Sequence, residues 1–255
     1  MMSFKENRFQ DFFEDEKYVA LKNYLYNYLL RKRAVEKVMR NERKGFVLEI
    51  GSGISPVLTS WNEVVYSDLS FSALRTLQQL HGKGHYVVAD GMNLPFKADA
   101  FSHIISSEVM EHISDDRKAL REIAGVTKQG GSIVVTFPHR HFYFSFDDRF
   151  VHHYRRYELS EMDRLLRDSG FDPFLIQKVL GPLEKITMLM VTVCISILQR
   201  DSIQAHKGEP KSKPANIMIR LFQWCNRLYA GIARIDAVIM PLKISTVLLI
   251  KAVKR

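Results

Sequence analysis

FVLEIGSGISP, residues 46–56, is the stretch on which the fold of this chain turns. Its branched and straight apolar residues make a run short enough for a strand, closed by Glu49 and Ile50. Gly51-Ser52-Gly53 follows at once, so backbone approaches a ligand closely where side chains would obstruct it. Ser55 then reads as a helix cap and Pro56 as a first-turn residue, because proline has no N–H to lose there. The expected order is therefore strand, glycine turn, helix. A dinucleotide-binding turn needs a third glycine where Pro56 stands, and no Gly-Lys-Ser/Thr follows to make a phosphate loop.

Outward from this stretch, short apolar runs alternate with helical patterning. VVYS at 64–67, HYVVA at 85–89, HIIS at 103–106 and SIVVTF at 132–137 read as further strands. Between them, Ser70 heads a helix through Leu74, Leu77 and Leu80. Ser114–Val126 makes another, with Asp115 and Asp116 at its positive end and Lys128 near its negative end, stopping at Gly130-Gly131. Such alternation implies a parallel sheet covered on both faces. A helix over Leu159–Ser169, a sixth strand near Phe174–Val179 and a seventh in STVLLIKAV, 245–253, complete the pattern.

The flanks divide the chain. Residues 1–44 read as lead-in helices, since Val19, Leu21, Tyr24, Leu25, Tyr28 and Leu29 recur at helical spacing. Residues 45–255 form one α/β domain with a helical and loop insertion at about 183–240. Within it, Ile186–Leu198 and Ile217–Ile239 are apolar, and the polar stretch 200–214 between them reads as an exposed loop. Ile186–Leu198 is too short to span a bilayer, and a core or pocket-lining helix is the reading preferred for it. Arg220, Arg227 and Arg234 recur every seventh residue, one stripe of a helix; the alternative is an interfacial helix on anionic lipid, giving peripheral membrane contact.

Composition narrows the class. A charged fraction of 25% and a hydrophobic fraction of 46% are those of an ordinary globular protein. The first residues lack the apolar core of a secretory signal, so a cytoplasmic location is expected, with Cys194 and Cys225 reduced and no zinc or disulfide framework. The net charge of +9 favours an anionic contact without choosing among nucleic acid, lipid headgroup and phosphorylated substrate.

Three strand ends supply groups suited to one nucleoside. Asp68, with Leu69 beside it, follows the second strand, where a carboxylate accepts both hydroxyls of a ribose. Asp90-Gly91-Met92 follows the third, where a carboxylate accepts from an adenine amino group and an apolar neighbour covers the ring. The order LEIGSG, SDLS, VVADGMNLPF, FSHIISSEVMEHI, KQGGSIVVTFP resembles the class I S-adenosylmethionine-dependent methyltransferases, in particular the broad type 11 group that acts on small molecules and lipids, over about residues 31–171. The resemblance implies a Rossmann-like seven-stranded sheet, mostly parallel with an antiparallel last strand, and S-adenosylmethionine as cofactor. It implies that Glu49 orders the loop and the methionine moiety, that Gly51, Ser52 and Gly53 form that loop, and that Asp68 and Asp90 hold ribose and adenine. It places Ser106 or Ser107 beside the sulfonium. Ser55 departs from the pattern, which has a third glycine there.

Methyl transfer from a sulfonium is a direct displacement, so alignment and exclusion of water matter most, and a base only when the acceptor carries a proton to lose. His112, Glu111 and His153 are the candidate catalytic groups, drawn from EVMEH and from the histidines His139, His141, His152 and His153 after the fifth strand. On a helix, Glu108, Glu111 and His112 share one face. That face resembles the metal site of RNA 3′-end and quinone-pathway methyltransferases, and Glu108, Glu111, His112 and His153 would then hold a divalent metal; the metal-free reading, with the His hydrogen-bonded, is preferred. The aromatic and basic stretch 136–157 suits a lid over a planar or anionic acceptor; Arg155 and Arg156 could pair with a phosphate or carboxylate, although solvation is the commoner fate of such pairs. The expected activity is transfer to O, N or C of a small-molecule or lipid-like acceptor. RNA methylation is a lesser alternative, since no RNA-binding motif is visible, and a non-catalytic scaffold for a membrane or partner protein is the other.

Overall fold

The computed structural model describes residues 22–190 and 216–255, with side chains of the last helix from residue 220. The polar stretch 200–214, residues 191–198 of the first apolar segment, Cys194 and the chain before residue 22 lie outside the described residues.

Seven strands form one sheet: β1 (Val47–Ile50), β2 (Val64–Asp68), β3 (His85–Val88), β4 (Phe101–Ser107), β5 (Thr127–Pro138), β6 (Phe171–Leu180) and β7 (Val247–Lys254). Their order is β3-β2-β1-β4-β5-β7-β6. The first five are parallel, and β7 runs antiparallel between β5 and β6, as expected for the last strand. β1 is buried along its whole length, Glu49 included, which is why Val47, Leu48 and Ile50 point to both faces of the sheet without polar alternation.

Side-chain alternation divides β1 between two cores. Leu48 and Ile50 face a layer built by α3 (Asp116–Val126) and α5 (Leu159–Asp168), through Leu120, Ile123, Met162 and Leu166. Val47 faces the opposite layer, made by α1 (Tyr26–Met39) and α2 (Phe71–His81), through Val35, Met39, Leu74 and Leu77. α2 begins as expected, with the Ser70 hydroxyl accepting from the Ala73 N–H. α3 stops at Val126, before the two glycines, because the Thr127 hydroxyl donates to the Ile123 carbonyl and β5 starts there.

No helix follows the glycine turn. Residues 51–62 are turns and bends. The N–H groups of Val57 and Leu58 donate to the Glu49 carboxylate, at 2.7 and 3.1 Å, instead of to helix carbonyls, and α1 covers the segment, the Tyr28 hydroxyl donating to the Pro56 carbonyl. A buried acceptor two residues before the turn outweighs the capping pattern of Ser55 and Pro56.

The insertion packs on the α1 side. Residues 182–190 are helical, and α7 (Asn216–Ile239) lies against α1 and β6 through Tyr229, Ala230 and Ala233. Counting the helix at 182–190 as α6, its first turn is tied to α7 by the Leu183 N–H donating to Asp236. The core reading of Ile186–Leu198 does not hold for its described part: Ile186, Leu189 and Met190 are exposed, because Thr187, bonded to Tyr229, is the side of α6 turned inward. Short 3-10 turns at Met110–His112, His141–Tyr143 and Leu242–Ile244, and α4 (Phe146–Phe150), complete the described structure.

Candidate active site

Strand order reverses at β1, whose neighbours β2 and β4 lead outward in opposite directions, and parallel sheets of this kind bind ligands beyond the strand ends at such a point. The loop after β1 and the segment after β4 meet there. Gly51 has φ +67°, and a Cβ on it would overlap a methyl of Val109. Only glycine suits both the left-handed backbone and that contact.

The loop is held from two sides. Glu49, buried, accepts from Val57 and Leu58, and burial pushes its carboxyl up to about 7 in spite of those bonds. At the end of β2, Asp68 accepts from the N–H of Gly53 through Oδ2 and of Ser70 through Oδ1, each at 2.8 Å. Burial raises the Asp68 carboxyl as well. Leu69 is exposed beside it. Asp90 accepts from the Met92 N–H at 2.8 Å in a tight turn, and Gly91 lies under the Ile113 side chain. The hydroxyls of Ser52 and Ser106 are buried without a hydrogen-bond partner, whereas the Ser107 hydroxyl pairs with Thr136 at 2.8 Å.

EVMEH is not one helical face. Glu108 has φ +54° and its carboxylate goes to the Thr136 hydroxyl, with Arg31 at 3.8 Å. Only Met110–His112 turn, as a 3-10 turn. The structure accordingly brings Glu111, His112 and His153 together, with one possible ligand atom of each within 4.8 Å of the others, and leaves Glu108 out. Glu111 is wholly buried; neither oxygen has a hydrogen bond, and His153 Nε2 stands 3.9 Å from Oε1. Burial, then the nearby Glu108 charge, raise the Glu111 carboxyl well above its ordinary value. The His112 ring stacks edgewise on His153 with centroids 4.6 Å apart and hydrogen-bonds the His152 backbone; burial, then the His153 charge, lower it to about 3, so it is neutral at physiological pH.

Sequence reasoning missed what orients His153. Its Nδ1 lies 2.9 Å from Asp148 Oδ1, which also accepts from Arg156 Nε at 2.7 Å. Lys185 of α6 donates to both Asp147 and Asp148. Burial alone would raise the Asp148 carboxyl; His153, Arg156 and Lys185 together hold it below the usual carboxylate range. The signal was present as the unbroken pair Asp147-Asp148 ahead of HHYRR. Arg155 and Arg156 are not solvated cations: Arg155 pairs with Asp116 at 2.8 Å and Arg156 is buried on Asp148. His139 bonds the Ser245 carbonyl and His141 pairs with Glu161, so neither joins the cluster. In the stretch 136–157, Phe142 and Phe146 are exposed.

Residues 48–135 match the family model described as a methyltransferase domain. That stretch is a methyltransferase domain. The demethylmenaquinone methyltransferase of Streptomyces griseus is 31% identical to this domain over 110 residues, 42% of this chain and 48% of that one. The chain thus spans about half the length of the curated relatives it matches. An S-adenosylmethionine-dependent methyltransferase of Thermotoga maritima shares the fold with a TM-score of 0.63 at 16% identity, covering 97% of this chain and 98% of that one. The phosphoethanolamine N-methyltransferase 2 of Haemonchus contortus, solved with S-adenosyl-L-methionine, has a TM-score of 0.58 at 17% identity over all of this chain and 60% of that one. The methyltransferase domain model ends inside β5, so the segment that carries His153, α6 and α7 lie beyond it.

Proposed function

We propose that this chain is an S-adenosylmethionine-dependent methyltransferase that acts on a small, lipid-like acceptor. The carrying observation is the meeting of the Gly51-Ser52-Gly53 loop with the segment after β4 at the point of strand-order reversal, with Asp68 tied to the same loop.

The residues fit the cofactor. Gly51 takes a left-handed backbone that lets the loop close against Val109, and the unpartnered buried hydroxyls of Ser52 and Ser106 await acceptors or donors that a bound molecule supplies. In this reading Glu49 props the loop, Gly51, Ser52 and Gly53 take the methionine end, and Asp68 with Leu69 takes the ribose. Asp90, Gly91 and Met92 take the adenine, and Ser106 and Ser107 flank the sulfonium. Bound S-adenosylmethionine supplies an activated methyl group for direct displacement. The protein holds the acceptor in line with it and keeps water away.

His153 is the group best placed to take a proton from the acceptor. Asp148 fixes its Nδ1, which leaves Nε2 toward Glu111 and His112. The same three side chains give a second reading, in which they hold a divalent cation through one carboxylate and two imidazoles. Among the described residues, α1, the stretch 136–157, α6 and α7 stand for the acceptor side in this reading, and the exposed Phe142 and Phe146 suit an apolar molecule.

The similarity to demethylmenaquinone methyltransferases supports an isoprenoid-type acceptor. With methyl-labelled S-adenosylmethionine, reduced demethylmenaquinone is expected to carry label into the organic phase, while phosphoethanolamine and histamine stay unlabelled. Label on a water-soluble amine alone would overturn the lipid-like reading. The assay repeated after chelation decides the cation reading: undiminished transfer removes it.

A further inference from the structure

α7 presents two unlike faces. Tyr229, Ala230, Ala233 and Ala237 pack inward on the domain. On the opposite side Leu221, Trp224, Leu228, Ile232, Ile235 and Ile239 follow one another at steps of three and four, the spacing of a single helix face, and all are exposed. Trp224 is 60% exposed and Ile239 69%, which no ordinary surface helix requires. α6 extends this apolar surface with Ile186, Leu189 and Met190, since it is fastened to α7 through Thr187 and Tyr229 and through Leu183 and Asp236.

Charge indicates what meets that face. Arg220, Arg227 and Arg234 form an exposed row along one border of the apolar stripe. A second copy of this chain would bring the same arginine row with it, whereas an anionic headgroup layer offers acyl chains to the stripe and phosphates to the row. No described helix is long and apolar enough to cross a membrane, which leaves a helix lying in the interface plane.

We propose that α7, with the exposed end of α6, docks this protein on an anionic lipid surface, its tryptophan and aliphatic stripe seated among acyl chains and Arg220, Arg227 and Arg234 on headgroup phosphates. The placement suits the lid: Lys185 of α6 is bonded to Asp147 and Asp148 of α4, the segment that carries the exposed Phe146. A lipid-like acceptor would then reach the site from the layer on which the protein lies. That last link rests on the proposed acceptor class; the docking itself does not.

Flotation of the full chain with vesicles, without cofactor or acceptor, tests the docking separately from catalysis. Binding is expected to vesicles of phosphatidylcholine with phosphatidylglycerol and to weaken with added salt. R220Q/R227Q/R234Q should lower the partition coefficient by about 100-fold, at roughly fivefold per arginine. W224E/I232E should abolish binding with thermal unfolding unchanged, because both side chains are exposed. No binding to the anionic vesicles would overturn the proposal, as would equal binding by the triple arginine variant. A wild-type dimer that W224E/I232E converts to monomer would also overturn it, assigning the face to a second copy.

Discussion

Asp68→Ala is expected to weaken S-adenosylmethionine binding by about 100-fold, with unfolding lowered much less. Two contributions add. A ribose hydroxyl bonded to a carboxylate is a charge-assisted pair, of order 1.5–3 kcal/mol when removed, and each 1.4 kcal/mol is a factor of ten in affinity. Asp68 also accepts the Gly53 N–H, so its loss loosens the loop that approaches the ligand. Asp68→Asn keeps one acceptor and should fall between the two. Titration calorimetry reads all three proteins, and an unchanged Kd for the alanine variant would remove Asp68 from the ribose site.

Glu49→Ala should destabilise the fold by about 3 kcal/mol, since it strands two buried N–H groups, Val57 and Leu58, at roughly 1–3 kcal/mol each. The pH dependence separates charge from packing. Because burial raises the folded-state value to about 7, the folded protein holds this proton more tightly than the unfolded chain does. Stability from that difference is complete below the unfolded value near 4.5 and is lost as pH rises through about 7. Glu49→Gln cannot ionise. Its deficit relative to wild type, measured by urea unfolding, should therefore shrink by on the order of 3 kcal/mol between pH 5 and pH 8. A constant deficit would show that Glu49 is ionised throughout.

The sheet was legible because β1, β2, β4, β5 and β7 each carry a buried run, while β3 and β6, half-buried or exposed over most of their length, were legible from their short apolar stretches. All seven expected strands are present, with edges moved by a few residues, and Ser70 caps its helix as its position suggests. What escaped was decided by distant partners. Ser55 and Pro56 carry a capping pattern, yet the N–H groups that a helix would use are claimed by Glu49, across the turn. EVMEH has helical spacing, but Glu108 is drawn to Thr136 and Arg31, on β5 and α1. His153 was readable as a candidate and the Asp147-Asp148 pair stood in view ahead of it, but their pairing was not readable, because it depends on a five-residue helix that no periodicity announces. Arg156 looked like a surface cation for the same reason. Local pattern predicts elements well and predicts side-chain partners only where the partner is in the same turn.

The site and the proposed docking face lie in different parts of the domain. The β1 loop and β2 end hold the proposed donor, while α6 joins the exposed α7 face to the ion pairs that position His153. Nothing in the methyltransferase domain match reaches that second part, which begins after residue 135.

Titration of the wild-type chain with S-adenosylmethionine tests the central claim most directly. One equivalent should bind, S-adenosylhomocysteine should compete for the same site, and NAD should not, because the loop has Pro56 where a dinucleotide-binding turn has its third glycine. Absence of any binding heat for S-adenosylmethionine, or displacement of it by NAD, would contradict the assignment of Gly51-Ser52-Gly53, Asp68 and Asp90 to a methyl donor.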